Sequence, residues 1–192
     1  PCSGKHTGMI GLGLLKGYDL NDYILPSHPI QKEMLKVISE FTEMKINDID
    51  IAIDGCGVTV FGLEIYNMAV AYTKLANNDE TMKLISHAMT TEPFFVAGTH
   101  RLDKILMEET NGRILAKLGA ESVYCMTDMT TGDAIAMKIE DGGYRALDAV
   151  VPEILKRHGY IDIADYISIN NRLRLDIYNH RKEYVGGYKV AF

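Results

Sequence analysis

Apolar residues recur with helical spacing in some parts of the chain and with strand spacing in others. Residues 1 to 17 are rich in glycine, with Met9, Ile10, Leu12, Leu14 and Leu15 between, and predict a polar loop entering a short buried helix or strand. Ile30, Met34, Val37, Ile38 and Phe41 recur every three or four residues, so a helix is predicted there. Ser27 is placed to cap it, and Pro29 sits in its first turn, where a missing N–H costs nothing. Ile49, Ile51 and Ile53 alternate with Asp48, Asp50 and Ala52, the period of a half-buried strand. That strand runs into Asp54-Gly55-Cys56-Gly57, read as a sharp turn into the next helix. Phe61, Ile65, Met68, Tyr72 and Leu75 predict a long helix ending at Asn77-Asn78, and 79–91 another with Met82, Ile85 and Met89 inward.

After a loop containing Gly98-Thr99-His100-Arg101 and a short helix over 102–109, the pattern changes. Residues 113–127 and 133–140 predict two strands joined by a turn near Thr131-Gly132. A helix over 144–158 follows, with Leu147, Val151, Ile154 and Leu155 inward and Gly159 as its C-cap. Two further strands are predicted at 173–178 and 184–190, while 160–172 carries no assigned element. A helical block followed by strand–strand–helix–strand–strand is α+β, without the alternation of a parallel α/β sheet. No repeat or linker interrupts it, so 1–192 is read as a single domain.

Composition narrows the function. The chain has 192 residues, of which 47% are hydrophobic and 24% charged, the balance of an ordinary globular protein. No apolar run approaches the roughly 20 residues that cross a bilayer, which excludes a membrane span. A net charge of -6 without a lysine or arginine block argues against nucleic acid as a partner. Three cysteines, Cys2, Cys56 and Cys125, are too few and odd in number for a disulfide framework. With no secretory leader pattern at the start, the expected location is the cytoplasm.

Three places carry chemistry. Cys2-Ser3-Gly4-Lys5-His6 gathers capable side chains around a glycine. Asp54-Gly55-Cys56-Gly57 puts a thiol and a carboxylate at a sharp turn, where a helix N-terminus would lower the thiol pKa. Lys117-Leu118-Gly119 sets a strand lysine two residues before a glycine, leaving room for a substrate against the backbone. Each also has a structural reading: a packed small cysteine, a solvated lysine, a surface loop. For Cys125, inside an apolar strand, burial is the favoured reading. Cys2, Cys56 and His6 would supply three of the four ligands zinc prefers. A zinc deaminase is rejected, since no histidine has glutamate two residues later and no Cys-x-x-Cys is present. A glycine-rich phosphate cradle is unsupported.

In these segments, together with Ala97-Gly98-Thr99-His100-Arg101-Leu102-Asp103 and Lys117-Leu118-Gly119-Ala120-Glu121-Ser122-Val123-Tyr124-Cys125, the sequence resembles the L-asparaginase II family, the Rhizobium etli-type or class 3 asparaginases. Order and spacing follow the family over nearly the whole chain, which resembles its C-terminal portion. The resemblance implies a fold similar to serine β-lactamases and penicillin-binding proteins, and hydrolysis of L-asparagine to L-aspartate and ammonia. It implies zinc held by Cys2, Lys5 and Cys56, tuning substrate binding. It places Asp54, His6, Arg101 and Gly119 with the substrate and makes Lys117 catalytic, with Lys117-x-Gly119 resembling the K-T-G element of β-lactamases. A homodimer is implied as well. The family's S-x-x-K nucleophile motif has no counterpart here, since no serine has lysine three residues later. Thr42-Glu43-Met44-Lys45 is the nearest imitation, at a solvated helix end. The expectation is therefore that the nucleophile belongs to an N-terminal half of the same enzyme, upstream of Pro1. A glutaminase or related amidase of the same fold, or an inactive module that binds zinc or a partner, are the alternatives.

Overall fold

The computed structural model describes residues 2–77 and 79–191. The expectations at Pro1 and Asn78 lie outside these. Among the described residues are eight α-helices and seven strands, all strand pairings antiparallel, so the α+β class holds. None of the helices is long and apolar enough to cross a membrane. The chain forms two compact units, Pro1–Ala71 and Tyr72–Phe192.

The first unit opens with α1 (Ser3–Lys16), one regular helix where a polar loop entering a short buried helix or strand was expected. Its glycines do not break it, because the chain gains a full set of helical hydrogen bonds and an inward stripe ending at Met9 and Gly13. Gly13 is required by packing: a Cβ there would meet Leu20 at 2.5 Å and Ile30 at 2.8 Å. Gly17 ends the helix at φ 68°, and the Tyr18 N–H donates to the Gly13 carbonyl in a Schellman cap. Helix α2 (Pro29–Thr42) is capped by the ring of His28, which accepts from the Ile30 N–H, and not by Ser27. Its buried face holds Ile30 and Gln31, while Val37 is exposed.

Strand β1 (Asp50–Ile53) pairs with β2 (Thr59–Gly62), so Asp54–Val58 is the turn of a hairpin and not the entry to a helix. Phe61, read as helical, lies in β2. The expected half-burial of β1 also fails: every residue of it is exposed, because the hairpin has no second layer within this unit. The apolar core here is small, built from Met9, Ile30 and Val58. Helix α3 (Ile65–Thr73) carries the chain across the division between the units.

In the second unit, α4 (Glu80–Thr91) buries Ser86 where the apolar stripe predicted Ile85. Helices α5 (Pro93–Ala97) and α6 (Leu102–Glu109) lead to the main sheet. The single strand predicted over 113–127 is two, β3 (Ile114–Leu118) and β4 (Val123–Asp128), which reverse through Gly119–Ser122. Glu121 and Ser122 adopt positive φ there, a tight reversal that an apolar run hides from pattern reading. Strand β5 (Ala134–Lys138) completes a three-stranded sheet in the order β3-β4-β5. Helix α7 (Leu147–Arg157) matches the expected helix, and α8 (Ile163–Arg172) fills the segment left unassigned. The last strands, β6 (Asp176–Tyr178) and β7 (Tyr184–Gly187), form a hairpin of their own.

One face of the main sheet, through Ile114, Ala116, Tyr124 and Met126, packs against Leu102, Ile105 and Leu106 of α6, Leu147, Val151 and Leu155 of α7, and Ile169 of α8. Arg113 ties this layer together, bonding Asp128 and Asp165 at 3.0 Å each. Leu106 is fully buried at its centre. Leu106→Ala is expected to destabilise by about 2–5 kcal/mol through lost transfer energy and a cavity, visible as a lowered urea midpoint.

Candidate functional site: a thiol and carboxylate corner

The first turn of α1 and the tip of the β1–β2 hairpin meet within the first unit. Cys2, Lys5, His6 and Met9 are three or four residues apart, so the helix presents them on one stripe. Met9 anchors that stripe in the core. On the hairpin, the Asp54 N–H donates to the Val58 carbonyl and the Gly57 N–H to the Asp54 carbonyl, both at 2.8 Å. Gly57 has φ 85°, a conformation that selects glycine. Buried Val58 pins the tip, and the Thr59 hydroxyl donates to the Ile24 carbonyl.

Ligand atoms of Cys2, Asp54 and Cys56 all lie within 4.8 Å of one another. Lys5 Nζ donates to Asp54 Oδ2 at 2.7 Å, and Asp54 Oδ1 accepts from the Gly55 N–H. Those two bonds hold the Asp54 carboxyl below its ordinary value. Burial is the largest influence and works against the Lys5 ammonium, but the bond to Asp54 together with the charges of Asp54, Cys56 and Cys2 outweighs it, and the lysine pKa is raised. Cys56 is lowered to about 7, chiefly by a hydrogen bond from His6 and then by the Val58 backbone. His6 Nδ1 is 2.6 Å from the Tyr23 hydroxyl. A tautomer accepting from Tyr23 at Nδ1 carries its proton on Nε2, free to donate to the sulfur. Cys2 moves the other way, raised first by its hydrogen bond with Cys56. The depression of Cys56 expected from a helix N-terminus thus has another source, since the residue sits in a hairpin turn.

Two thiols and a carboxylate at this spacing fit a soft or borderline divalent ion such as zinc. Lys5 is in the same cluster, where as an ammonium paired with Asp54 it would have a lone pair to give only after losing a proton.

The second unit holds the remaining expected residues. Lys117 lies on β3 opposite Cys125, and its ammonium donates to the Leu118 carbonyl at 2.6 Å. Cys125 is buried, which pushes its thiol up to about 12. Gly119 does not leave an open gap: a Cβ there would meet Val123 Cβ at 3.2 Å. Arg101 lines a cavity with Leu118 and Tyr124, on the helix-packed face of the sheet, and strand alternation puts Lys117 on the other. Asp103, inside the quoted Gly98–Asp103 motif but assigned no role from sequence, is buried and accepts from the Leu118 N–H at 2.8 Å. A charged residue on the side shared with Leu106 and Met107, the inward stripe of an amphipathic helix, was the available signal.

A family model described as L-asparaginase II matches residues 1–190. The chain belongs to the L-asparaginase II family. It is thereby an asparaginase-like amidohydrolase in general type, and the thiol corner is a feature of a hydrolase-family chain. A search of curated proteins returned no significant match.

Proposed function

We propose that this L-asparaginase II family chain forms the metal-binding and strand-lysine part of an enzyme hydrolysing L-asparagine to L-aspartate and ammonia. The observation carrying this reading is the meeting of Cys2, Lys5, Asp54 and Cys56 in one corner of a chain matched by the family model over 1–190. Zinc would be held by Cys2 and Cys56, with Lys5 as a further ligand once its proton has gone and Asp54 orienting the amine. When bound, the metal supplies a fixed positive charge that tunes substrate affinity. His6 and Asp54 then border the substrate, with the Asp54 carboxylate accepting a hydrogen bond from it.

Lys117 is assigned to move the proton of a serine nucleophile, or to hold positive charge beside it while the acyl-enzyme forms. No serine among the 192 residues has lysine three places later, so that serine is assigned to residues outside them. Gly119 keeps the β3–β4 reversal tight and the strand edge narrow beside the lysine. A serine β-lactamase-like architecture is consistent with the three-stranded antiparallel sheet and the helices α6, α7 and α8 on one of its faces. Arg101 is left out of this reading because of its place on the helix-packed face.

The test is ammonia release from L-asparagine and from L-glutamine by the complete enzyme, with zinc measured in the same sample. Asparagine turnover exceeding that of glutamine, with stoichiometric zinc, is expected. Preference for glutamine would transfer the assignment to a glutaminase, and zinc without ammonia from either amide would leave a binding module.

A further inference from the structure

We infer that the cavity around Arg101, Asp103, Tyr124 and Asp148, on the helix-packed face of β3, binds a small zwitterion of the amino acid class.

The cavity measures about 160 Å³ and lies wholly within the second unit. Cavities of about 150 Å³ hold benzene, so the space suits a molecule on the order of six to nine non-hydrogen atoms. Leucines, Leu118 among them, line it together with polar side chains that include His100. Asp103 is 1% exposed, with Oδ2 engaged by the Leu118 N–H and Oδ1 without a hydrogen-bond partner. The Tyr124 hydroxyl, in a side chain 0% exposed, makes no hydrogen bond of ordinary geometry either, but it faces the Asp103 carboxyl, which together with burial raises its pKa. Asp148 accepts no hydrogen bond among the described residues, and burial raises its pKa while Arg101 opposes the rise. Arg101 makes no ion pair among the described residues; its guanidinium lies 5.4 Å from the centre of the Tyr144 ring. Arg145, by contrast, is already paired with Asp141.

Four polar groups in different charge states thus border one space, two of them buried with hydrogen-bonding capacity that nothing but each other meets. An orphaned buried donor or acceptor costs about 1–3 kcal/mol, and native structures seldom leave two together without something to meet them. Charge selects among the candidates. A simple anion would face Asp103 and Asp148, and a simple cation would face Arg101 and Arg145. A molecule with an ammonium at one end and a carboxylate at the other satisfies both pairs. Its ammonium can donate to Asp103 Oδ1 and Asp148, and its carboxylate can accept from Arg101 and Tyr124. The volume matches a single small amino acid.

The site is independent of amide hydrolysis, so its test uses L-serine, which carries no side-chain amide. Amide chemical shifts of Leu118 and Tyr124 are followed by NMR while L-serine, acetate or methylamine is added to the complete protein. Saturable shifts with L-serine are expected, with acetate and methylamine each at least about tenfold weaker, or about 1.4 kcal/mol. Asp148→Asn and Arg101→Gln, with unchanged circular dichroism, are each expected to weaken L-serine by a similar factor. Lys117→Ala is expected to leave it as it is. Equal binding of acetate or methylamine, equal binding by both cavity variants, or the absence of saturation (a cavity holding water only) would each overturn the inference.

Discussion

Lys117→Ala in the complete, zinc-loaded enzyme is expected to lower kcat for L-asparagine by at least about a thousandfold, about 4 kcal/mol of transition-state stabilisation. Lys117 lies on β3 in register with Cys125, its backbone set between a fully buried Ala116 and a hydrogen-bonded Leu118. Its ammonium is half-buried and satisfied by the Leu118 carbonyl, which fixes the side chain along the strand edge. A group so placed can accept or return a proton without first being ordered. Truncation removes both the proton carrier and the positive charge. Lys117→Arg restores the charge but not an amine that can give up and take back a proton, so it should remain poor. Because truncation also frees the Leu118 carbonyl, about 1 kcal/mol of stability is expected to go with it. A melting curve separates that loss from the catalytic one. Turnover within a few-fold of the parent would show that another lysine does the work.

The second large effect concerns metal. Cys56→Ala is expected to abolish stoichiometric zinc, Cys2→Ala to weaken it severely, and Cys125→Ala to leave it unchanged. Removing one of two soft donors takes away the ligands that distinguish this corner from an ordinary surface carboxylate. Cys125 lies in the other unit and is sealed in the sheet. The sign of the pH dependence follows from the protons. Cys56 is a thiolate above about 7 and a thiol below it, so acid must weaken zinc by competing for the sulfur. Cys2 and Lys5, both raised, release their protons at higher pH, so affinity continues to climb beyond the Cys56 transition. Zinc retained by Cys56→Ala, measured by elemental analysis after dialysis, would refute the ligand assignment.

What could be read in advance followed the strength of the periodic signal. Helices α2, α4, α6 and α7 were legible because their apolar residues repeat at the helical period for two turns or more. Helix α1 was not, since glycine at 4, 8, 11 and 13 masks a stripe that tertiary packing at Gly13 requires. The β3–β4 reversal was hidden because residues 113–127 are apolar on both sides of it and sheet strands buried on two faces lose their alternation. The reverse error occurred at β1, whose clean alternation implied a half-buried strand although its unit supplies no layer to cover it. At the site, residue types were legible but their connections were not. Nothing in the spacing of Asp54 and Cys56 distinguishes a hairpin tip from a helix entry, and only the fold makes His6, rather than a helix terminus, the partner that acidifies Cys56.

The β1–β2 hairpin carries its anchorage at an unusual end. Isolated two-stranded hairpins are marginally stable, and they ordinarily fray outward from the strand termini and the loop alike. Here the tip is held: Val58 is embedded beside Met9 and Ile30, and both the amide and hydroxyl of Thr59 engage the Ile24 carbonyl. The exposed strand β1 behind it lacks such fixing. Asp54 and Cys56 therefore sit on backbone already immobilised before any ion arrives. Capture of a metal would spend little conformational entropy on the turn, and thermal motion in the strands could grow without loosening the two donors that the tip presents.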